Sequence, residues 1–349
     1  MKIDDVITIS NGSSVTVEEA LLSLHPEAKS VDSAALLENT LENALPVDPV
    51  MFTSINGLMI KDIALHSTGT AGPSGIDAAA WRKMCSSFKE ASSNLCDAIA
   101  GVARRMCTAR VAPEALSALL ACRLVPLNKN PGVRPIGVGE VVRRIIGKAV
   151  MKVLKKDVML AAGPLQTCSG IPSGGEAAVH AVRETWERPD MEGVLLVDAS
   201  NAFNSLNRKV ALLNMKHVCP ALEVALTNCY QNPSRLFVSG GGEILSREGT
   251  TQGDPLGMAM FSLAMVPLII KLMEQSESTV QAWFADDATG VGSLQNLKQW
   301  WDGLSTIGPL FGYYPNAAKT CLVVRDEQEE VARQIFDNTD VVITTEGKK

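Results

Sequence analysis

Two adjacent aspartates, Asp286 and Asp287, are the side chains in this sequence with the clearest chemical potential. The apolar residues 280–284 before them and the small residues 288–292 after them predict a β-hairpin whose turn carries both acids. Neighbouring carboxylates repel each other, and they are hard oxygen ligands of the kind that bind Mg²⁺ or Mn²⁺. An Asp-Asp pair is also ordinary turn chemistry, because aspartate tolerates turn conformations. The pair alone leaves both interpretations open.

A third carboxylate stands at the end of another apolar segment. Residues 193–197 are followed directly by Asp198, and four consecutive apolar residues in this position predict a buried strand. If that strand lies beside the hairpin, three carboxylates converge. Two divalent ions roughly 3.5–4 Å apart would neutralise them, lower the pKa of an attacking hydroxyl and hold a triphosphate. This combination is typical of phosphoryl transfer.

Four short motifs occur in an order that resembles the reverse transcriptases of non-LTR and related retroelements, with group II intron enzymes as the next nearest relatives. They are Asp198 with Phe203, Gln252-Gly253-Asp254-Pro255-Leu256, Phe284-Ala285-Asp286-Asp287, and Lys319. The resemblance covers residues 71–349, with motifs near 124–136, 193–203, 249–257, 280–292 and 312–324. It implies an α+β right-hand polymerase, with fingers interleaved with an antiparallel palm sheet. The implied activity is that of an RNA-directed DNA polymerase, which joins dNTPs to the 3′-OH of a DNA or RNA primer on an RNA template.

The resemblance assigns roles to the residues that match the family motifs. The implied metal ligands, for two Mg²⁺ or Mn²⁺ ions, are Asp198, the Ala199 carbonyl, Asp286 and Asp287. The implied catalytic residues are Asp198, Asp286, Asp287 and Lys319. The implied nucleotide-binding residues are Lys129, Arg134, Ala202, Phe203, Gln252 and Gly253. Lys319 would protonate the departing pyrophosphate, although an ordinary surface lysine fits its position nearly as well.

Phe203 distinguishes two kinds of polymerase. In the resemblance, RNA-copying RNA polymerases generally carry a second Asp five residues after the first catalytic Asp, whereas reverse transcriptases carry Phe or Tyr. A ring under the sugar leaves no room for a 2′-OH and offers it no hydrogen bond, so Phe203 favours deoxynucleotides. The same residue also fits a core aromatic at a strand-to-helix corner, and both interpretations can hold together.

The net charge of −6 hides one strongly basic segment. Residues 101–156 hold twelve Lys and Arg against two Asp and Glu, whereas residues 1–100 hold six against thirteen. Within the basic segment, two β-like pieces around Asn130-Pro131-Gly132 predict a hairpin that brings Lys129 and Arg134 to a triphosphate. The residues that follow have apolar positions at helical spacing. The cations expected on the outer faces of that helix, along a nucleic-acid backbone, are Arg143, Arg144, Lys148, Lys152, Lys155 and Lys156.

Local signals outside the motifs predict further elements. Ser173-Gly174-Gly175-Glu176 matches a capping box at the start of a helix, and Pro255 suits the first turn of an apolar helix. Residues 294–311 have the pattern of an amphipathic helix. Asp254 replaces the Ser of the commoner Gln-Gly-Ser-Pro-Leu-Ser-Pro form, and we assign Asp254 no role.

Cysteine and hydropathy patterns favour an intracellular protein with no membrane partner, with nucleus or cytoplasm undecided. The eight cysteines are scattered and form no Cys-x-x-Cys pair, which favours buried thiols over a zinc site or disulfides. The N-terminus lacks the apolar core of a secretory signal. The longest apolar stretch, near residues 258–270, is interrupted by Ser262 and Pro267 and is too short to span a bilayer.

The two ends of the chain bear on what the protein can do. Residues 1–70 form an acidic extension of unknown role, with helix-like pieces at 16–24 and 33–45, which we expect to pack on the fingers or bind a partner. The chain ends at Lys349, short of the family's primer-grip hairpin and helical thumb, so we expect the thumb to be absent and the chain to be a fragment or a decayed copy. Two alternatives stay open, a non-catalytic remnant that binds nucleic acid and an RNA-directed RNA polymerase. The sequence does not determine the oligomeric state.

Overall fold

Residues 1–9, 12–37, 47–164 and 166–346 are described by the computed structural model. The strands in this part of the chain are β1 (Val6–Thr8), β2 (Ser14–Thr16), β3 (Cys122–Asn128), β4 (Val133–Gly139), β5 (Gly193–Val197), β6 (Ser234–Val238), β7 (Glu243–Ser246), β8 (Val280–Phe284), β9 (Asp287–Gly292), β10 (Cys321–Val324) and β11 (Val342–Thr344). The α-helices are α1 (Val17–Ser23), α2 (Gly57–Leu65), α3 (Ala78–Ser86), α4 (Glu90–Thr108), α5 (Pro113–Leu120), α6 (Val141–Ala162), α7 (Gly174–Trp186), α8 (Ala202–Ser205), α9 (Arg208–Val218), α10 (Pro220–Tyr230), α11 (Gly257–Gln275), α12 (Leu294–Phe311) and α13 (Glu329–Ile335). Short 3₁₀ turns lie at Ser33–Ala35, Pro49–Phe52, Ala317–Lys319 and Asp326–Gln328.

A five-stranded sheet in the order β11-β10-β5-β9-β8 carries the acidic residues. All of its pairings are antiparallel except β10 with β11, which is parallel. The predicted hairpin is confirmed, with Phe284 opposite Asp287 across a two-residue turn. The predicted buried strand is β5, and it pairs directly with β9 so that Val197 lies opposite Ala288. This register brings the end of β5 beside the acidic turn.

A second sheet, of four strands in the order β4-β3-β6-β7, lies across from the first. The predicted hairpin in the basic segment is confirmed as β3 and β4, whose turn closes when the backbone N–H of Lys129 donates to the carbonyl of Gly132 at 3.2 Å. Strands β6 and β7 form a second antiparallel hairpin in this sheet. The two hairpins join through parallel pairing of β3 with β6. Residues separated by about a hundred positions thus form one surface.

A helical core holds the elements around the five-stranded sheet. Trp283 on β8 is fully buried and meets Trp300 of α12 edge-on at 6.4 Å and Tyr313 at 5.4 Å between ring centroids. Residues 294–311 form α12 as predicted. Burial of large aromatic side chains contributes strongly to stability. This cluster therefore fixes the back of the hairpin that carries the two aspartates.

Helix α11 is the one helix in the described residues that is long and apolar enough to cross a membrane by length and composition. The expectation that this stretch is too short was wrong, because the helix continues beyond residue 270 to Gln275 and Pro267 does not end it. In the structure, 67% of its apolar window is buried against other parts of the protein. A core helix of a folded domain has the same composition.

The N-terminal residues pack on the four-stranded sheet. Helix α1 begins with a capping box between Thr16 and Glu19, which confirms the predicted helix at 16–24. Its buried residues Val17, Ala20 and Leu21 share a hydrophobic cluster with β3, β4, β6 and β7. Of the second predicted piece, residues 33–35 form a 3₁₀ turn and 38–45 lie outside the described residues. The division of the chain at residue 70 stays a prediction, and α2 packs in the same core as α4 and α6.

The helix predicted after Ser173 is confirmed as α7, but the predicted capping box is absent, and the prediction that Pro255 lies in the first turn of α11 was wrong. Ser173 precedes α7, but its backbone is left-handed (φ 51°) and its side chain makes no capping hydrogen bond. Pro255 lies two residues before the start of α11 at Gly257, within a turn rather than the helix. In both cases the residue type matches a helix start while the backbone follows a different path.

Neighbouring leucines on α1 test whether its packing on the sheet stabilises the protein. We expect Leu21→Ala to lower the free energy of unfolding by about 2–5 kcal/mol, because Leu21 is fully buried and its loss leaves a cavity. Leu22→Ala removes the same atoms from a side chain that is 52% exposed and should cost less than about 1 kcal/mol. The midpoint of urea unfolding measures both. Equal midpoints for the two variants would contradict the packing.

Candidate active site

The acidic turn is held in a left-handed conformation by a buried glutamine. Ala285 has a backbone φ of 56°, a value that residues other than glycine rarely adopt. The amide of Gln166 bonds both backbone polar groups of Ala285. It accepts from the N–H at 2.8 Å and donates to the carbonyl at 3.1 Å. The Tyr313 hydroxyl donates to the carbonyl of Asp286 at 2.9 Å. These contacts aim the Asp286 and Asp287 side chains outward from a rigid backbone.

The three carboxylates influence one another electrostatically. Burial raises the pKa of Asp286, and the charges of Asp287 and Asp198 raise it further, while Arg134 opposes them. Burial also raises the pKa of Asp287, and Asp198 adds to that shift. Among the described residues, no group of three or more His, Cys, Asp or Glu side chains is close enough to form a ready metal cluster. The three carboxylates thus lie in the same region but do not surround a common point.

A cavity of about 780 Å³ opens in front of these carboxylates. The structure places on its wall ten of the eleven residues expected at the site: Lys129, Arg134, Asp198, Ala199, Ala202, Phe203, Gln252, Asp286, Asp287 and Lys319. The eleventh, Gly253, is not part of the lining. A Cβ at Gly253 would lie 2.8 Å from the carbonyl oxygen of Gly137, so its close backbone contact is with β4. Its φ of 109° also favours glycine.

Lys319 lies beside the first carboxylate. Its Nζ is 3.9 Å from Oδ2 of Asp198, and both side chains are about half exposed. The loop that carries Lys319 is tied to the strand end by the Asn316 N–H, which donates to the Asp198 carbonyl at 2.8 Å. Exposed ion pairs contribute little to stability. The geometry therefore places the ammonium group of Lys319 next to Asp198, and this ion pair contributes little to stability.

Phe203 belongs both to the cavity and to the core. Its ring stacks on Phe261 of α11 with centroids 4.4 Å apart and an interplanar angle of 23°. The residue is half-buried and lines the cavity. The interpretation as a core aromatic is therefore confirmed, and the exclusion of a 2′-OH stays a prediction for a side chain that also borders the cavity.

A family model described as reverse transcriptase (RNA-dependent DNA polymerase) matches residues 127–333, more than half of the chain. The chain belongs to the reverse transcriptase family. The match begins just before Lys129 and extends beyond Lys319, so it contains every residue expected at the site. No curated protein sequence matches the chain. Family membership confirms the resemblance and supports a reverse transcriptase-type polymerase.

Arg143 of α6 lies inside the fold. Arg143, expected on an outer face, is buried and donates to the Asp254 carboxylate and, at 2.8 Å, to the carbonyl of Leu120. Burial acts to lower the pKa of Arg143, but the charge of Asp254 raises it above its ordinary value. The prediction for Arg143 was wrong because its neighbour across the fold, 111 residues away, is a carboxylate. Lys148, Lys152, Lys155 and Lys156 are exposed as expected.

Asp254 has a structural role that the sequence did not indicate. Besides Arg143, it accepts from the Tyr230 hydroxyl at 2.6 Å and from the Leu256 N–H at 3.0 Å. Asp254 stands two residues after Gln252, which lines the cavity. The buried pair therefore anchors the loop that carries Gln252 to α6. Arg144, also expected on an outer face, is half-buried, and its guanidinium donates to the carbonyls of Thr68 and Thr70.

The buried pair can be tested by removing one or both charges. Asp254→Ala should destabilise the protein by about 3–5 kcal/mol, because it leaves the Arg143 charge buried with neutral partners only. Adding Arg143→Met to that variant should restore part of the loss, since it removes the unpaired charge. Urea unfolding of the wild type, both single variants and the double variant measures the coupling. Losses that simply add would show that the two residues act independently.

Proposed function

We propose that this chain is an RNA-directed DNA polymerase that transfers dNTPs to a primer 3′-OH by a two-metal mechanism. The observation that carries the proposal is one cavity lined both by the carboxylates Asp198, Asp286 and Asp287 and by the cations Lys129, Arg134 and Lys319. Carboxylates and cations around one cavity suit a nucleotide triphosphate with its metal ions. The proposed partners are an RNA template, a DNA or RNA primer and dNTPs, inside the cell.

The donor set fits divalent cations. Asp198, the Ala199 carbonyl and Asp286 offer hard oxygen ligands, and Asp287 adds a further negative charge. Burial and then neighbouring negative charge raise the pKa of Asp286 and Asp287, and Mg²⁺ or Mn²⁺ between the carboxylates would offset that charge. When bound, such ions supply activation of the primer hydroxyl and neutralisation of phosphate charge. The protein contributes the fixed strand ends from which these oxygens project.

The other side chains that line the cavity would bind and orient the nucleotide. Lys129 and Arg134 flank the turn of β3 and β4 and would hold the triphosphate, one as a point charge and the other as a planar fork. Lys319 would donate a proton to the leaving pyrophosphate. Gln252 would position the nucleotide against the template base, on a loop held by Asp254. The exposed lysines of α6 would follow the nucleic-acid backbone without reading its sequence.

Primer extension on an RNA template with Mg²⁺ and dNTPs tests the proposal. At low salt the wild type should extend the primer, and Asp286→Ala should reduce the rate by at least about 100-fold, because a group that stabilises the transition state is lost. Asp302→Ala, which removes an exposed carboxylate on α12, is the matched control and should extend normally.

Failure of the wild type to extend, with salt-sensitive binding of primer and template intact, would contradict the polymerase proposal. That result would favour a non-catalytic protein that binds nucleic acid. Efficient incorporation of ribonucleotides by the wild type would favour an RNA-directed RNA polymerase instead. Each outcome thus selects one of the three candidate functions.

Phe203 is proposed to exclude ribonucleotides. Phe203→Val removes the ring and should lower the preference for dNTP over rNTP by at least about tenfold, equivalent to about 1.4 kcal/mol. Phe237→Val removes an aromatic ring on β6, away from the cavity, and should leave the preference unchanged. The ratio of kcat/KM for the two nucleotides measures the effect. An unchanged ratio in Phe203→Val would assign the ring to the core alone.

A further inference from the structure

Three asparagines fasten an N-terminal segment to the helices that follow Asp198. The segment, residues 24–37, is called the N-terminal strap below. Each asparagine donates its side-chain amide to a strap carbonyl, and the pairs are Asn201 with Leu24 at 2.9 Å, Asn207 with Ser30 at 3.1 Å and Asn214 with Ala35 at 2.9 Å. Asn214 also accepts from the Leu37 N–H at 3.0 Å. Buried amides left without partners would be costly, so these contacts fix the course of the strap.

Asn201 links the strap to the turn that presents the nucleotide-binding residues. Its backbone is left-handed, with φ 50° and ψ 33°, a conformation that asparagine tolerates better than most residues. The side-chain oxygen accepts from the amide of Asn204 at 2.9 Å while the side-chain nitrogen donates to Leu24. Asn201 immediately precedes Ala202 and Phe203. One side chain therefore connects the strap, the turn and the helix start at this point.

Lys29 provides a second connection from the strap. Its ammonium group contacts the Tyr314 hydroxyl and lies 4.3 Å from the centroid of that ring. The carbonyl of Tyr314 accepts from the N–H of Ser200 at 2.8 Å. The backbone N–H of Lys29 also donates to Glu248 at 2.6 Å, and Glu248 in turn accepts from the N–H of Arg208. The strap thus touches the elements on both sides of the turn.

The N-terminal residues also form part of the cavity itself. Ile9, Ala20, Ser23 and Leu24 line it together with the residues proposed to bind the nucleotide. Leu24 is the residue whose carbonyl receives the Asn201 amide. Leu24 therefore both lines the cavity and accepts the hydrogen bond that holds the strap.

We propose that the N-terminal strap, which reaches the cavity wall at Leu24, determines nucleotide specificity and that Asn201 is the positioning residue through which it places Phe203. This inference rests on the proposed polymerase function. A fixed strap keeps the turn, and with it the ring of Phe203, at one distance from the sugar. Loosening it weakens nucleotide binding and admits the 2′-OH. The hairpin of Asp286 and Asp287 keeps its own supports at Gln166 and Tyr313, and Asp198 keeps the bond from the Asn316 N–H to its carbonyl.

Asn201→Gly separates the side-chain bonds from the backbone conformation. Glycine adopts a left-handed backbone freely, so the variant removes only the amide contacts. We expect the KM for dNTP to rise about fivefold and the dNTP preference over rNTP to fall by a similar factor, as for loss of one hydrogen bond. The value of kcat should change less than about threefold. Ser173→Gly, at a nearly identical left-handed position without a side-chain cap, is the matched control and should leave all three values unchanged.

A substitution in the strap itself gives an independent measurement. Lys29→Met keeps the apolar stem but removes the ammonium group, and Lys29→Arg should restore the contact with Tyr314. We expect Lys29→Met to shift KM and preference in the same direction as Asn201→Gly. The double variant should show less than the sum of the two effects, because both act through the strap. Hydrogen exchange in residues 198–204 should rise in both single variants and not in Ser173→Gly.

The outcomes separate this proposal from the polymerase proposal. If the wild type extends primers and Asn201→Gly keeps the wild-type KM and preference, the strap proposal is overturned. An Asn201→Gly variant that does not fold leaves the decision to Lys29→Met with the same readouts. If the wild type extends no primer, the polymerase proposal fails, and binding of a fluorescent dNTP then decides the strap. Tighter binding by the wild type than by both variants supports it, and equal or absent binding overturns it.

Discussion

Mutual repulsion of three carboxylates is the constraint on which the arrangement of this structure depends. Asp198, Asp286 and Asp287 stand at the ends of adjacent antiparallel strands, where burial raises the pKa of Asp286 and Asp287 and the charge of Asp198 raises both further. Side chains alone would turn away from one another into solvent. The protein limits this by fixing the backbone, since Gln166, Tyr313 and the 313–316 loop all bond main-chain atoms beside the acids. Rigidity of the main chain thus maintains an arrangement that charge alone disfavours.

The supports of the site come from distant parts of the chain. The hairpin is backed by Trp283, Trp300 and Tyr313, the loop of Gln252 is tied to α6 through Asp254, and the turn after Asp198 is tied to the N-terminal strap. Each support joins an element of the five-stranded sheet, or a loop near it, to a residue distant in the sequence. The cavity is therefore formed by residues from several elements that are distant in the sequence.

Strong local patterns explain what the sequence predicts correctly. The 294–311 helix has a regular apolar face, and the strand at 193–197 is a short apolar run with clear ends, so both follow from periodicity. The order of the family motifs brings ten expected residues to one cavity. Gln166, the Arg143 pair and the strap asparagines were not foreseen, because each depends on a partner more than a hundred residues away. The capping box at Ser173 failed for a different reason, since a left-handed backbone turned its hydroxyl from the helix.

Packing of the N-terminal residues has a consequence for the order in which the protein can assemble. Synthesis produces α1 and the strap before their partners, since β3 and β4 follow α1 by about a hundred residues, and the residues that bond the strap lie more than 170 residues further along the chain. Until those later residues are made, the strap carbonyls have no native partner and the apolar face of α1 lacks β6 and β7. The beginning of the chain therefore takes its final place late, and long-range closure of this kind slows folding. Residues that line the cavity are thus synthesised well before the partners that set them in position.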